Sequence, residues 1–155
     1  MRPEILPALY EHFDNITVLG GYHFDWESVK SKGNGSLALK KSTVSAKAKA
    51  NIYFGNAEEL QVVSGSRSLV KVPMFVSANV PYKIKATTLE DHDPEVELIR
   101  SKLLSDLRSG FRFVTGDMCT AGVQYIFNMQ EVDPEVSDGS MVLFVKVQFD
   151  LQYFE

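Results

Sequence analysis

The sequence of 155 residues contains a single cysteine, Cys119, and little that a membrane or secreted protein would need. One cysteine excludes an intrachain disulfide and a zinc site built from several cysteines, which indicates a reducing compartment. No apolar run approaches the roughly 20 residues of a membrane-spanning helix. The N-terminus, MRPEILPALYEHF, lacks the apolar stretch and small-residue cleavage site of a secretion signal. These absences predict a protein that is made and used in water, with no membrane partner.

Motifs of nucleotide binding and of serine catalysis are also missing. Neither GxGxxG, GxxxxGKS/T nor GxSxG occurs in the sequence. The backbone cradle that holds phosphates and the strained turn that presents a catalytic serine are therefore not encoded in a recognisable form. Any catalytic site would have to be assembled from residues that are far apart in the chain.

Histidines are the usual proton shuttles of enzymes, and the chain has His12, His23 and His92. His92 lies between two aspartates, but a metal site there would need further ligands from elsewhere in the fold. A solvated loop before a helix is the simpler interpretation. His23 is two residues from Asp25, which could orient its imidazole, although we favour an aromatic cluster that anchors the following segment. That cluster comprises Tyr22, Phe24 and Trp26.

Cys119 could act as a nucleophile if a histidine and an acid converged on it. Single cysteines in small domains are more often packed as small hydrophobic residues, and we favour that interpretation. We therefore expect no catalytic residues, no metal site and no cofactor. A small enzyme that uses His92 or Cys119 is the alternative from a different functional class.

Charge is distributed unevenly along a chain whose net charge is −4. Residues 28–57 contain six lysines and no acidic residue, whereas the rest of the chain has twice as many acidic as basic residues. Such self-complementary charge favours association between copies. The lysines are our candidate residues for a subunit or partner interface: Lys30, Lys32, Lys40, Lys41, Lys47 and Lys49.

The same basic stretch predicts a long loop at about residues 26–50, because it is rich in Gly, Ser and Lys and shows no clear period. Few large apolar side chains are available there to offset the entropy cost of ordering. Three uses of this insertion loop remain open. A protein partner or neighbouring subunit is favoured over an inert solvated loop and over nucleic acid. Nucleic acid is a poor match because this segment contains no arginine and the whole chain has a pI of about 5.4.

Hydrophobic periodicity predicts two helices and about five strands in one domain over residues 1–155. The helices are expected at 3–14, where Pro7 fits poorly, and at 94–109, where Asp93 is the cap and Gly110 follows the end. The strands are expected at 50–54, 60–64, 69–88, 122–132 and 141–154. The predicted fold class is α+β, with a mainly antiparallel, twisted sheet and both helices on one face.

Two prolines interrupt the long strand predicted at 69–88. Pro73 and Pro81 cannot donate a hydrogen bond to a neighbouring strand. The strand is therefore expected to lie at an edge of the sheet or to bulge near each proline.

Several local sequences, in their order along the chain, resemble the tail terminator (tail-completion) proteins of long-tailed bacteriophages. The resemblance covers most of the chain outside residues 20–47 and is a pattern of elements without an invariant motif. It runs through the helix ILPALYEHF, the strand and turn KANIYFGNAEEL, the strand VKVPMFVSANV, the helix PEVELIRSKLLSDL and the final strand VLFVKVQFDLQYFE.

This resemblance implies a structural virion protein, assembled in the host cytoplasm and located at the head-proximal end of the tail. It implies a ring, generally of six subunits, that caps the tail tube, stops its growth and offers the docking surface for the head connector. The implied partners are other copies of the chain, the tail tube protein and the head-tail connector, with DNA at most passing through. A different tail or neck component, such as a tube or connector subunit, is the alternative within the same class.

Overall fold

Two long strands form the centre of the sheet in a computed structural model, which describes residues 2–28, 47–65, 67–81, 94–132 and 142–155. They are β4 (Arg67–Pro81) and β6 (Val142–Phe154), paired antiparallel from Leu69 opposite Phe154 to Pro81 opposite Val142. Their side chains alternate, so that Val72, Met74 and Val76 of β4 are buried and the residues between them are half-buried. The predicted strands are confirmed over the described residues.

The remaining strands extend the sheet on both sides. They are β1 (Trp26–Ser28), β2 (Ala48–Phe54), β3 (Glu58–Ser64) and β5 (Val123–Glu131). The order is β1-β2-β4-β6-β5, and β3 pairs with the first part of β4 on the same side as β2. Every pairing is antiparallel except that of β1 with β2. The α+β class and the mainly antiparallel sheet are confirmed, with β1 as a sixth strand that the sequence pattern did not predict.

Two helices pack on one face of the sheet, as predicted. The first, α1 (Ile5–Asp14), and the second, α2 (Pro94–Gly110), meet through Phe111, whose ring contacts that of Phe13 from α1 and that of Phe149 from β6 at centroid distances of 5.1 and 5.0 Å. We call this the helix face of the sheet and the opposite side the open face. No described helix is long and apolar enough to cross a membrane.

Helix α1 begins two residues later than predicted, which explains how it accommodates a proline. Pro7 is the third residue of the helix, within the first turn, where backbone N–H groups have no partner inside the helix. Helix α2 extends one residue beyond its predicted end and buries Leu103 and Leu107 completely. The predicted cap, Asp93, lies outside the described residues.

Strand β4 was predicted to lie at an edge or to bulge near each proline. The edge position is wrong, and the register of β4 with β6 shows no bulge at Pro73 or Pro81. Neighbouring strands flank β4 on both sides. The carbonyl of Pro73 accepts a hydrogen bond from the Gly55 N–H, on the side where β4 changes partner from β3 to β2. The proline nitrogen faces this same gap, because the N–H and C=O of one strand residue point to the same side, so no ladder bond is lost.

A short third helix, α3 (Gly116–Thr120), was also not predicted. The Thr115 side chain accepts a hydrogen bond from the Met118 N–H and caps its first turn. Met118 is buried against the core, and Gly122, with a φ of 103°, turns the chain into β5. A helix of this length is too short to show helical periodicity in the sequence.

Candidate functional site

A buried carboxylate binds residues 23–26, which lie just before the basic segment. Asp106 of α2 is only 2% exposed and accepts hydrogen bonds from the backbone N–H groups of His23 and Phe24, at 2.9 and 3.0 Å, and from the Trp26 indole Nε1 at 2.9 Å. Three donors on one carboxylate offset the cost of burying its charge. Trp26 is buried, and Tyr22 and Phe24 pack partly against the core, so the predicted anchoring cluster is confirmed.

A second carboxylate holds the next residues of the chain. Asp14, at the end of α1, accepts hydrogen bonds from the Ser28 N–H at 2.9 Å and from the Ser28 hydroxyl at 3.0 Å. Because β1 pairs in parallel with β2, the chain leaves one strand at Ser28 and re-enters its neighbour at Ala48. Both described ends of the basic segment are therefore fixed to the domain at adjacent strands.

Two of the six candidate interface lysines lie on the described part of this region. Lys47 is exposed just before β2, and Lys49 is half-buried on the open face opposite Asn79. The other four, Lys30, Lys32, Lys40 and Lys41, lie outside the described residues, as does most of the insertion loop predicted at 26–50. Their role at an interface stays a prediction.

The predicted packing of Cys119 as a small hydrophobic residue is wrong. Its side chain is exposed on α3, because Met118 beside it is the residue that turns into the core. His92, the other residue of the enzyme alternative, lies outside the described residues. Among the residues that the structure describes, no group of three or more His, Cys, Asp or Glu could hold a metal ion.

The structure describes His12 and His23, and the His12 ring has structural contacts. His12 of α1 donates from Nε2 to the Gly110 carbonyl at the end of α2, and its ring packs edge-on against Phe111. Burial lowers the pKa of His12 below its usual value of 6.5, which favours the neutral ring. Near His23, the Asp25 carboxylate accepts from the Val18 N–H at 2.8 Å and thereby fixes the short 3-10 helix at Val18–Gly20.

The open face of the sheet carries aromatic rings and cations in contact with each other. The rings of Tyr53 and Phe75 stack with their centroids 4.9 Å apart, and the Lys146 ammonium lies 5.2 and 5.8 Å from these two centroids. The Arg67 guanidinium lies 4.7 Å from the centroid of the Phe154 ring. Tyr125, Phe127 and Phe144 are 61%, 41% and 40% exposed on this face. Exposed aromatic area of this kind is typical of surfaces that bind other proteins.

Three of the described strands, β1, β3 and β5, pair with a single neighbour, and of these β3 and β5 also expose apolar residues. All seven residues of β3 are exposed, including Leu60, Val62 and Val63. Among the described strands, β3 pairs with β4 alone and β5 pairs with β6 alone. Each therefore presents an outer edge of backbone N–H and C=O groups that another chain could pair with.

A cavity of about 400 Å³ opens beside β5, between this strand and the C-terminal end of α2. Two exposed arginines, Arg108 and Arg112, stand at its wall. An irregularity between Phe127 and Gln130 bends β5 at this point, where Asn128 takes a φ of 59° and its amide donates to Asp150. The apolar lining comes from Phe111, Ile126, Met129 and Phe149.

Neither the models of known protein families nor the curated proteins include a match to this chain. The surface of the described residues offers apolar and aromatic area, two strand edges and a cavity with two arginines.

Proposed function

We propose that the chain is a structural virion protein of the tail terminator type. Copies of it close into a ring, of six subunits by the resemblance, which caps the tail tube, stops its growth and provides the docking surface for the head connector. The protein acts by association and performs no catalysis. Its place is the head-proximal end of the tail, where DNA at most passes through the ring.

The observation that carries this proposal is the one-sided burial of the sheet. The helices cover one face, while the open face and the outer strands keep large apolar side chains in solvent, among them Tyr125, Val62 and Phe144. Burial of this area in a contact would favour association, at about 25 cal/mol per Å² of apolar surface. The pattern supports a building block of an assembly.

A ring places a geometric requirement on these surfaces. Each subunit must use two different patches, one toward each neighbour, and the rotation between neighbours must close. A stable contact of this kind buries on the order of 1,000 Å² or more. Strands β3 and β5 pair with opposite sides of the central pair β4–β6 and differ in sequence, which suits a head-to-tail arrangement.

The proposal is tested by the mass of the native complex and by negative-stain electron microscopy of the purified protein. We expect closed rings with a single subunit number, six, and no growth beyond one ring. Long tubes would instead favour a tail tube subunit. A protein that stays monomeric at about 100 µM, alone and with tail tube protein of the same virus, would contradict the proposal.

A second experiment tests the capping activity directly. Tail tube protein is polymerised with increasing amounts of this protein, and tube lengths are measured by electron microscopy. Terminator rings should shorten the tubes and appear at one end of each. Tubes of unchanged length with bare ends would refute capping, and rings found elsewhere in the neck would favour a connector subunit.

A further inference from the structure

Strand β3 has one backbone edge that pairs with no other described strand, and its side chains are exposed to solvent. Glu59 lies opposite Val70, and Val62 lies opposite Ser68. Residues opposite each other in two paired strands point to the same face of the sheet, as do residues two apart in one strand. Val70 is buried on the helix face, so Ser68 and the partners of both residues, Glu59 and Val62, also point to that face. Val62 is 59% exposed there. On its helix side, β3 therefore presents one acid and one branched apolar residue.

The outer strand β5 presents the complementary set. Its cavity is lined by Phe111 and Phe149, which belong to the helix side of the sheet, and its wall carries Arg108 and Arg112. Like β3, this strand has a free outer edge within the described part of the sheet. An extended segment could pair with this edge. If it carried an acidic and an apolar side chain on the helix side, the acid would lie near the two guanidinium groups and the apolar side chain near the cavity.

Strand direction permits such an addition between copies of the chain. Across the sheet the order β3, β4, β6, β5 alternates in direction, because each pairing in this series is antiparallel. If a second copy continues the same sheet, its β3 lies beside β5 of the first copy and runs antiparallel to it. The helix faces of both copies then lie on the same side, so Glu59 and Val62 reach the side that holds the cavity.

We infer that β3 of one copy pairs with β5 of the next, with Glu59 against Arg108 and Arg112 and with Val62 in the cavity. This inference rests on the proposed function and names the two surfaces that meet in the ring. The contact is heterologous, because it joins two different surfaces. An open row of copies therefore has a free β3 at one end and a free β5 at the other, and these two can pair to close a ring.

A two-fold contact of β5 with β5 of a second copy is disfavoured by charge. It would bring the arginine pairs of both copies together, and like charges at close range cost free energy. It would also leave Leu60, Val62 and Val63 of β3 in solvent. Pairing of β3 with β5 avoids both costs.

Charge reversal tests the contact with the full-length protein. The variants are Glu59→Arg, the pair Arg108→Glu and Arg112→Glu, and the chain that combines all three changes. Glu11→Arg, an equivalent reversal at an exposed position of α1, is the control. Self-association is measured by analytical ultracentrifugation at low and physiological salt. Circular dichroism and thermal unfolding verify that each variant folds.

We expect each separate reversal to weaken self-association at least tenfold, and the combined variant and the Glu11→Arg control to associate like the wild type. An equimolar mixture of the two separately reversed proteins should also assemble, because each supplies the partner that the other lacks. A wild type that stays monomeric, both alone and with tail tube protein of the same virus, would overturn this inference together with the ring.

Other outcomes separate the inference from the proposed function. If rings form equally well after each separate reversal, this contact is wrong while the ring proposal stands. A combined variant that associates no better than the separately reversed ones would likewise overturn the charge pairing. If reversal and restoration follow the expected pattern but tubes keep growing in the presence of wild-type protein, the contact stands and the capping function is wrong.

Discussion

The two faces of the sheet share the same strands and differ in almost everything else. On β6, Val145 and Val147 turn to the helix face and are at most 3% exposed, while Phe144, the residue before Val145, turns away and is 40% exposed. The helix face is closed by α1, α2 and the rings at their ends, and it supplies the stability of the domain. The open face carries large side chains that do not need burial for folding. The comparison teaches that apolar residues in this chain serve two purposes, and four experiments can test the difference between the two faces.

The largest effect is expected from a charge introduced on the covered side. Leu103 of α2 is completely buried, so Leu103→Asp should lower the free energy of unfolding by about 4 kcal/mol or more and leave the domain largely unfolded. Leu98 on the same helix is 53% exposed, and Leu98→Asp should change the free energy by about 0.5 kcal/mol or less. Urea denaturation followed by circular dichroism measures both. Equal losses of stability in the two variants would contradict the assignment of Leu103 to the buried side of α2 and of Leu98 to its exposed side.

The next effect concerns the polar anchor on the covered side. Asp106→Ala leaves the N–H groups of His23, Phe24 and the Trp26 indole without their acceptor, and we expect a loss of about 3 kcal/mol. Asp106→Asn retains one acceptor oxygen and should lose about half as much. The Trp26 fluorescence should shift to longer wavelength in Asp106→Ala as the indole becomes more exposed. An unchanged spectrum with unchanged stability would show that the carboxylate does not hold this segment.

A matched pair on β5 compares the two faces at adjacent positions. Ile126 faces the core at 8% exposed, so Ile126→Ala should cost about 2 to 3 kcal/mol. Tyr125 is 61% exposed on the open face, and Tyr125→Ala should cost about 0.5 kcal/mol. Both are measured by thermal unfolding at low protein concentration, so that self-association contributes little. A larger loss for Tyr125→Ala would mean that the open face also stabilises the single subunit.

The smallest effect is a dependence of stability on pH. Burial lowers the pKa of His12 in the folded state, whereas the unfolded chain takes up its proton near the usual value of 6.5. As pH falls below this value the unfolded state binds more protons, and the free energy of unfolding decreases until the pH passes the folded-state pKa. His12→Gln keeps a donor for the Gly110 carbonyl and does not titrate. Between pH 7.5 and 5.5 it should therefore lose less stability than the wild type, and parallel losses would contradict this role.

Strong periodic segments could be predicted because their burial repeats along the chain. The helix at 94–109 and the final strand are examples, and both were found within one residue where the structure describes them. Asp106 was missed because it lies in the same helical stripe as Leu103 and Leu107, where an acid contradicts the pattern. That contradiction was itself a usable signal, since an acid on a buried face requires donors from elsewhere.

The position of β4 and the exposure of Cys119 could not be obtained in the same way. Proline in a strand usually indicates an edge, and only the exchange of β3 for β2 at Pro73 shows why a central position is tolerated. For Cys119, a helix of five residues has too few positions to show which side is buried. Both outcomes depend on neighbours that are distant in sequence.

The sequence by itself determined the α+β class, the alternation of the two longest strands and the apolar stripe of α2, because local periodicity dictates which side of an element can be buried. The tertiary structure alone decided the strand order and the convergence of three hydrogen-bond donors on Asp106. It also decided that β3, with its acidic and apolar side chains, and the cavity with two arginines lie at opposite edges of one sheet. These depend on contacts between residues tens of positions apart, whose free energies are fixed by the packed arrangement and leave no periodic trace along the chain.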